Sequence, residues 1–392
     1  MAQGAVQAEA ATEKLRKEAE PRAKKEAEKT QPEVAPMKIP LVKTGRPLAK
    51  WTLRKKIATI LPAVVAVSVL IIFLISQGHQ PVQVSSPTPS STPSDSTTIA
   101  LQSDISIFTD PRLDSCIRDL LGYPPDKQLT ALDVSTIGQI YFPGKEISSL
   151  AGIEHCINLR EIDLSNNQIQ DIGALQSLSH LEVLNLDGNQ ISNIEALKPL
   201  NQLKWLHLSN NKISDISALS SLTNLNTLYL SGNQIVGNLN PLKSLTNLVD
   251  VDLAQNKINE ISDLALLTNL SKVMLGGNQI SDIPPLEPLT KLMALGLEGN
   301  NIQDISNLSS LVNLQHLLLS ENGIKEISTL SSLTNLKELR LENNQITDIA
   351  PLITNNGLSQ GDNIYLTGNP LSSDSLNKYI SLLKQRGVNV TY

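Results

Sequence analysis

Asparagine recurs at 167, 189, 211, 233, 256, 278, 300, 322 and 344, in steps of 22 residues with one step of 23. Two residues after each stands isoleucine, from Ile169 through Ile346. Around Asn167 the apolar positions are Leu159, Ile162, Leu164, Ile172, Leu175 and Leu178. One period later they return as Leu181, Leu184, Leu186, Ile194, Leu197 and Leu200. The single extra residue lies near Asn238 and shifts everything after it. A unit written about ten times between Ile137 and Leu358 restricts the fold severely. No copy can bury its own apolar face, so each must be covered by its neighbours in a linear stack.

The spacing L-x-x-L-x-L-x-x-N is the leucine-rich repeat signature. Its Leu-x-Leu core, as at Leu184 and Leu186, alternates with period two and predicts a short strand with one buried face. One strand per copy builds a parallel sheet on the concave side, while the later apolar positions fill the same core from the convex side. The asparagine stands where the chain turns out of the strand, and its amide can pair buried turn backbone. The reading is an α/β solenoid, curved and right-handed, over residues 137–371, about 11 copies in all.

Charge divides the chain. Residues 1–56 hold 14 Lys and Arg against 7 Asp and Glu, leaving 18 against 31 downstream. Residues 1–56 read as a basic, disordered or loosely helical cytoplasmic tail, solvated or touching anionic lipid. Residues 57–76 carry no charge and match the thickness of a bilayer core as one helix. Lys50, Arg54, Lys55 and Lys56 precede this stretch, and no Lys or Arg follows until Arg112. The positive-inside rule then predicts an uncleaved single-pass signal-anchor in the cell membrane, with the N-terminus cytoplasmic and the repeats extracytoplasmic. Residues 77–103 form a stalk; 14 of the 18 residues from 81 to 98 are Ser, Thr or Pro.

A stack needs covered ends. In the N-terminal cap, residues 104–136, Asp110-Pro111 opens a helix that Gly122 closes, and a second starts at Thr130. Leu113, Cys116, Ile117, Leu120 and Leu121 fall on one face of the first helix. The first copy carries Lys145 at the asparagine position. The C-terminal cap, 372–392, contains a helix from about Asp374 to Arg386 and a last strand at Val388 and Val390. Cys116 and Cys156 read either as a bridge between cap and first copy or as two buried thiols.

The repeats, Asp110-Pro111-Arg112-Leu113 before them, and Gly361-Asp362-Asn363-Ile364 to Gly368-Asn369-Pro370-Leu371 after them resemble bacterial internalin-like proteins of the 22-residue class. The resemblance covers roughly 104–392. It implies a solenoid whose concave sheet binds another protein, with the ligand chosen by variable positions. An N-terminal rather than a C-terminal anchor sets this sequence apart from the cell-wall-anchored members.

The variable positions flanking the inward pair point out of the sheet. They include Tyr141, Glu161, Asp163, Asp187, Trp205, His207, Tyr229, Asp250, Asp252, Met274, Met293, His316, Leu318, Arg340 and Tyr365. Tyr, Trp and Met number only six, two and four in the chain, so their presence here suggests a protein-binding surface. Trp205, His207 and Tyr229 form the anticipated centre, and the aspartates around them suit a partner with exposed Lys or Arg. The acidic residues after the invariant isoleucine, such as Asp171, Asp215 and Asp304, read as turn caps rather than calcium ligands.

Catalytic motifs are missing: there is no G-x-S-x-G, phosphate loop, H-E-x-x-H or C-x-x-C, and the five histidines lack ligand spacing. The expectation is a non-catalytic recognition or adhesion protein without cofactor or metal. Its partner is a protein in preference to a glycan, and no nucleic acid is expected. A structural spacer and a single-pass signalling receptor without its own catalytic domain are the alternatives.

Overall fold

The structure, a computed structural model, describes residues 106–392. The tail, membrane span and stalk anticipated over 1–103 lie outside the described residues. Among the described residues no helix is long and apolar enough to cross a membrane.

Each copy contributes a three-residue strand. In chain order these are β1 (Gln139–Tyr141), β2 (Glu161–Asp163), β3 (Val183–Asn185), β4 (Trp205–His207) and β5 (Thr227–Tyr229). They continue as β7 (Asp250–Asp252), β9 (Lys272–Met274), β10 (Ala294–Gly296), β11 (His316–Leu318), β12 (Glu338–Arg340), β13 (Asn363–Tyr365) and β14 (Asn389–Thr391). All twelve form one parallel sheet in that order. The register aligns the middle residues, Ile162 with Leu184, Leu206, Leu228 and Val251, so identical positions stack into one apolar column. The buried cluster runs without a break from Phe108 to Val388. The extra residue near Asn238 is taken up locally, where β6 (Val236–Gly237) pairs with β8 (Lys257–Ile258) in a separate two-stranded sheet.

The asparagine ladder works through main chain rather than between side chains. Asn233 donates from Nδ2 to Leu208 O at 2.9 Å and Leu230 O at 3.0 Å, and its Oδ1 accepts from Ile213 N at 3.0 Å. Each amide therefore joins the turn of its own copy to the copy before it. Just ahead of each asparagine the backbone turns left-handed, with φ between 54° and 69° at Asn166, Gly188, Asn210, Gly232, Gln255, Gly277 and Gly299. Gly and Asn adopt that conformation most readily and fill most of these positions, with Gln255 as the exception among them.

The N-terminal helix, α1 (Pro111–Leu121), starts and stops as anticipated: Asp110 caps it, and Gly122 closes it at φ 66°. Asp110 Oδ1 accepts from Arg112 N, while Oδ2 accepts from Ser148 N and Ser149 N, so one carboxylate joins cap to first copy. The helix is narrower in its apolar face than expected. Leu113 and Ile117 are fully buried, but Leu120 is turned to solvent. A capping box between Thr130 and Asp133 opens α2 (Ala131–Ser135). The disulfide is not formed: Cys116 and Cys156 are free thiols. Both fill apolar space, Cys156 fully buried and Cys116 packed partly buried against the core. At the far end α3 (Ala350–Thr354) precedes β13, and a π-helical turn (Ser375–Tyr379) leads into α4 (Ile380–Gln385). β14 pairs with β13 as the last strand.

Candidate binding face

Strand alternation buries the central residue of each three-residue strand from β1 to β13 and leaves its two neighbours nearer the surface, except at Gly296, which is itself buried. The next residue but one, beyond the second inward leucine, adds a third outward column that includes Asp187, Glu298 and Glu342. The anticipated residues lie in these columns except Met293, which is exposed just ahead of β10. Glu298, Lys272 and Glu338 lie there too and were missed, although the same alternation with a longer reach would have found them.

Their contacts sort them into groups. His207 and Tyr229 face each other in register across β4 and β5 and stack, with ring centroids 4.5 Å apart and planes 22° apart. Tyr229 donates its hydroxyl to Asp250 Oδ2 at 3.0 Å, and Lys272 Nζ lies 3.3 Å from the same carboxylate and 5.5 Å from the tyrosine ring. Trp205 is half-buried on the other side of Leu206, in register with Val183 and Thr227. The anticipated aromatic trio is therefore a stacked pair with a separate tryptophan.

Farther along, Arg340 bridges Glu338 at 2.8 Å and Glu342 at 3.6 Å and covers the Tyr365 ring at 4.4 Å. His316 Nδ1 is 3.3 Å from Glu338. At the opposite end Tyr141 donates to Glu161. Met274 lies in register with Asp252 and Gly296.

Carboxylates dominate. Glu161, Asp163, Asp187, Asp250, Asp252, Glu298, Glu338 and Glu342 stand against Lys272 and Arg340 as the full cations of the three columns. Burial pushes the Asp187 carboxyl up to about 6; Ser209 opposes this with hydrogen bonds, and the charges of Asp163 and Asp252 add to it. Burial likewise raises Asp252 and Glu298 and lowers His207, leaving its imidazole neutral at pH 7. Burial, followed by the Asp250 charge, raises the Tyr229 hydroxyl, which stays a donor. One Glu298 carboxylate oxygen is buried without a hydrogen-bond partner.

The acidic residues after the invariant isoleucine serve the turns, as Asp171 does by accepting from Gly173 N at 2.8 Å and Asp215 from Ser217 N at 2.8 Å. No group of three His, Cys, Asp or Glu among the described residues is arranged to hold a metal ion. This face is a broad surface of side chains carried by the twelve-stranded sheet.

The family described as "Leucine Rich repeats (2 copies)" matches residues 157–199, 201–244 and 312–354. No curated protein matches the chain at significance. Among solved structures, an internalin of Listeria monocytogenes is similar at 30% identity and a TM-score of 0.62, over 73% of this chain and 92% of that one. A leucine-rich repeat protein of Leptospira interrogans shares the fold at 23% identity and a TM-score of 0.57, over 66% and 73%. A TDR receptor does so at 21% and 0.54, over 62% and 45%. By that match to an internalin, and by its 22-residue stack, main-chain asparagine ladder and capping helix, this chain belongs to the internalin-like leucine-rich repeat proteins.

Proposed function

We propose that the protein is a membrane-tethered recognition module that binds a protein ligand through the concave face of its sheet. One observation carries this reading. Scarce aromatic and thioether side chains gather on a surface that the fold does not need them to cover, and carboxylates surround them. The His207–Tyr229 pair is stacked and partly buried, as aromatic side chains at binding hot spots are. The excess of carboxylates suits a ligand that presents Lys or Arg. The uncharged stretch at 57–76 and the basic residues before it support a single-pass anchor with the repeats outside the cell.

A pull-down from envelope extract and culture fluid tests the face. The full chain in detergent is compared with a Trp205→Ala, Tyr229→Ala double variant, and the partner held by the wild type is expected to be lost. Equal capture by both would move the site off the sheet, and capture of nothing favours a spacer role. Protease added to intact cells is expected to trim the repeats; a protected repeat region would overturn the topology.

A further inference from the structure

We propose that the ligand segment on this face is an extended basic stretch laid across the strands, with Asp187, Asp252 and Glu298 receiving successive lysine or arginine side chains. This rests on the concave-face reading and specifies the chemistry and spacing of what that face takes.

Several carboxylates on this face have no ion-pair partner, and Asp187, Asp252 and Glu298 are those that burial also raises. Lys272 is committed to Asp250, and Arg340 to Glu338 and Glu342. Asp187 and Asp252 take neutral donors, Ser209 N at 2.5 Å and Ala254 N at 3.0 Å, and no ion pair with Lys or Arg. His207 Nδ1 is 4.0 Å from Asp187, but its burial keeps the ring neutral. Glu298 has a buried oxygen with no partner at all. A carboxylate left in this state costs free energy that an arriving cation recovers. Lys272 and Arg340 act on Asp252 and Glu298 through space, but their ion pairs are made with Asp250, Glu338 and Glu342.

Gly276, Ala294 and Gly296 lower the surface beside Glu298. A Cβ at Gly276 would collide with the Glu298 carboxylate, and one at Gly296 would lie 3.1 Å from Oε2 and 2.7 Å from Met274 Sδ. Side chains at these two positions would exclude the carboxylate from where it lies. Met274 is unbranched and able to swing aside, giving the aliphatic stem of a lysine an apolar bed.

Asp187 follows β3, Asp252 ends β7 and Glu298 follows β10, so the gaps are three and two strands in sheet order. At about 4.8 Å per strand these are about 14 Å and about 10 Å across the sheet. An extended ligand advances about 3.3 Å per residue, which sets basic residues roughly four and then three positions apart. Asp252 is offset by two residues along the strand, a distance that a flexible lysine absorbs. The His207–Tyr229 stack lies between the first two anchors, under the intervening ligand residues. Main-chain groups of the sheet are already paired with one another, so recognition falls to side chains and is sensitive to salt.

The probes are labelled 12-residue Gly/Ser peptides with three lysines, either spaced by four and three residues or contiguous, plus a glutamate version of the spaced one. Fluorescence anisotropy follows their binding to the full chain in detergent. The spaced lysine peptide is expected to bind tightest, to weaken with added salt, and to lose roughly tenfold in affinity in Glu298→Gln and again in Asp252→Asn. Asp171→Asn, on the turn side, is expected to bind like wild type, and circular dichroism checks that each variant folds. Equal binding of spaced and contiguous peptides, indifference to Glu298→Gln, or binding of none of the basic peptides would overturn the proposal. A captured partner that the Trp205→Ala, Tyr229→Ala variant loses but Glu298→Gln keeps would remove the basic segment and leave the recognition face standing.

Discussion

Asp187 shows at the scale of one residue how a recognition surface is kept at the expense of stability. Its carboxyl is raised to about 6, above the ordinary value near 3.8, by burial and then by the charges of Asp163 and Asp252 against the Ser209 hydrogen bonds. A raised carboxyl binds protons more readily folded than unfolded, so this group's contribution falls as pH rises through about 4 to 6 and is fully unfavourable above that window. Asn in its place keeps an acceptor for Ser209 N and removes the charge. Asp187→Asn is therefore expected to stabilise the protein at pH 7 by on the order of 1 kcal/mol, discounted from the full shift because the side chain is 29% exposed. At pH 4 the gain should vanish. Denaturant melts at both values measure it, and equal stabilities at pH 7 would show that Asp187 bears no such strain. Legibility at this scale was uneven. Alternation placed the strand residues, though not Met293 ahead of β10, and period-two reasoning says nothing about which rings touch. His207 stacks on Tyr229 because cross-strand partners in register are nearest neighbours, whereas Trp205 and His207, two apart on one strand, are separated by the backbone of Leu206.

At the scale of elements, the caps were readable because their signals are local: Asp-Pro to open α1, Gly122 to close it, Thr130 with Asp133 to open α2. What joins α1 to the repeats is not local. Asp110 reaches 38 residues along the chain to Ser148, a contact that no window of sequence contains. Burial works to raise this carboxyl, but the donors from Ser148, Ser149 and Arg112 outweigh it and hold it below its ordinary value. Its contribution is therefore present above the unfolded pKa and lost as pH falls through the folded one. Asp110→Ala removes the helix cap and leaves Ser148 N and Ser149 N unpaired. The expected cost is about 2–4 kcal/mol, with faster hydrogen exchange concentrated in α1 and the first copy. Unchanged exchange in α1 would mean that apolar contacts of Leu113 and Ile117 alone hold the cap. The extra residue near Asn238 belongs to the same lesson. Its position was plain from the broken period, while the β6–β8 pairing that absorbs it depends on two copies meeting in space.

For the whole molecule, the stack was the most legible feature of all, because identical copies in register leave the sequence no other way to cover its leucines. The same design makes stability a matter of nearest neighbours. Asn233 is the clearest place to test this, since it lies mid-stack just ahead of the irregular copy and joins Leu208, Leu230 and Ile213 through three hydrogen bonds. Asn233→Ala leaves Ile213 N buried without a partner, at about 1–3 kcal/mol, and takes one of two donors from Leu208 O and Leu230 O, which keep Asn211 Nδ2 and Asn256 Nδ2. In a globular domain such a loss would lower one cooperative transition. In a linear stack it weakens one interface, on whose two sides the remaining copies still bury each other's apolar faces. Hydrogen exchange should therefore quicken first in β4, β5 and β7, while β1 and β2 beside the N-terminal cap and β12 to β14 beside the C-terminal cap keep most of their protection. The denaturant transition should broaden as the two halves part company. Uniform loss of protection from β1 to β14, with a transition as steep as wild type, would show instead that the continuous core from Phe108 to Val388 couples the copies more strongly than their hydrogen bonds do.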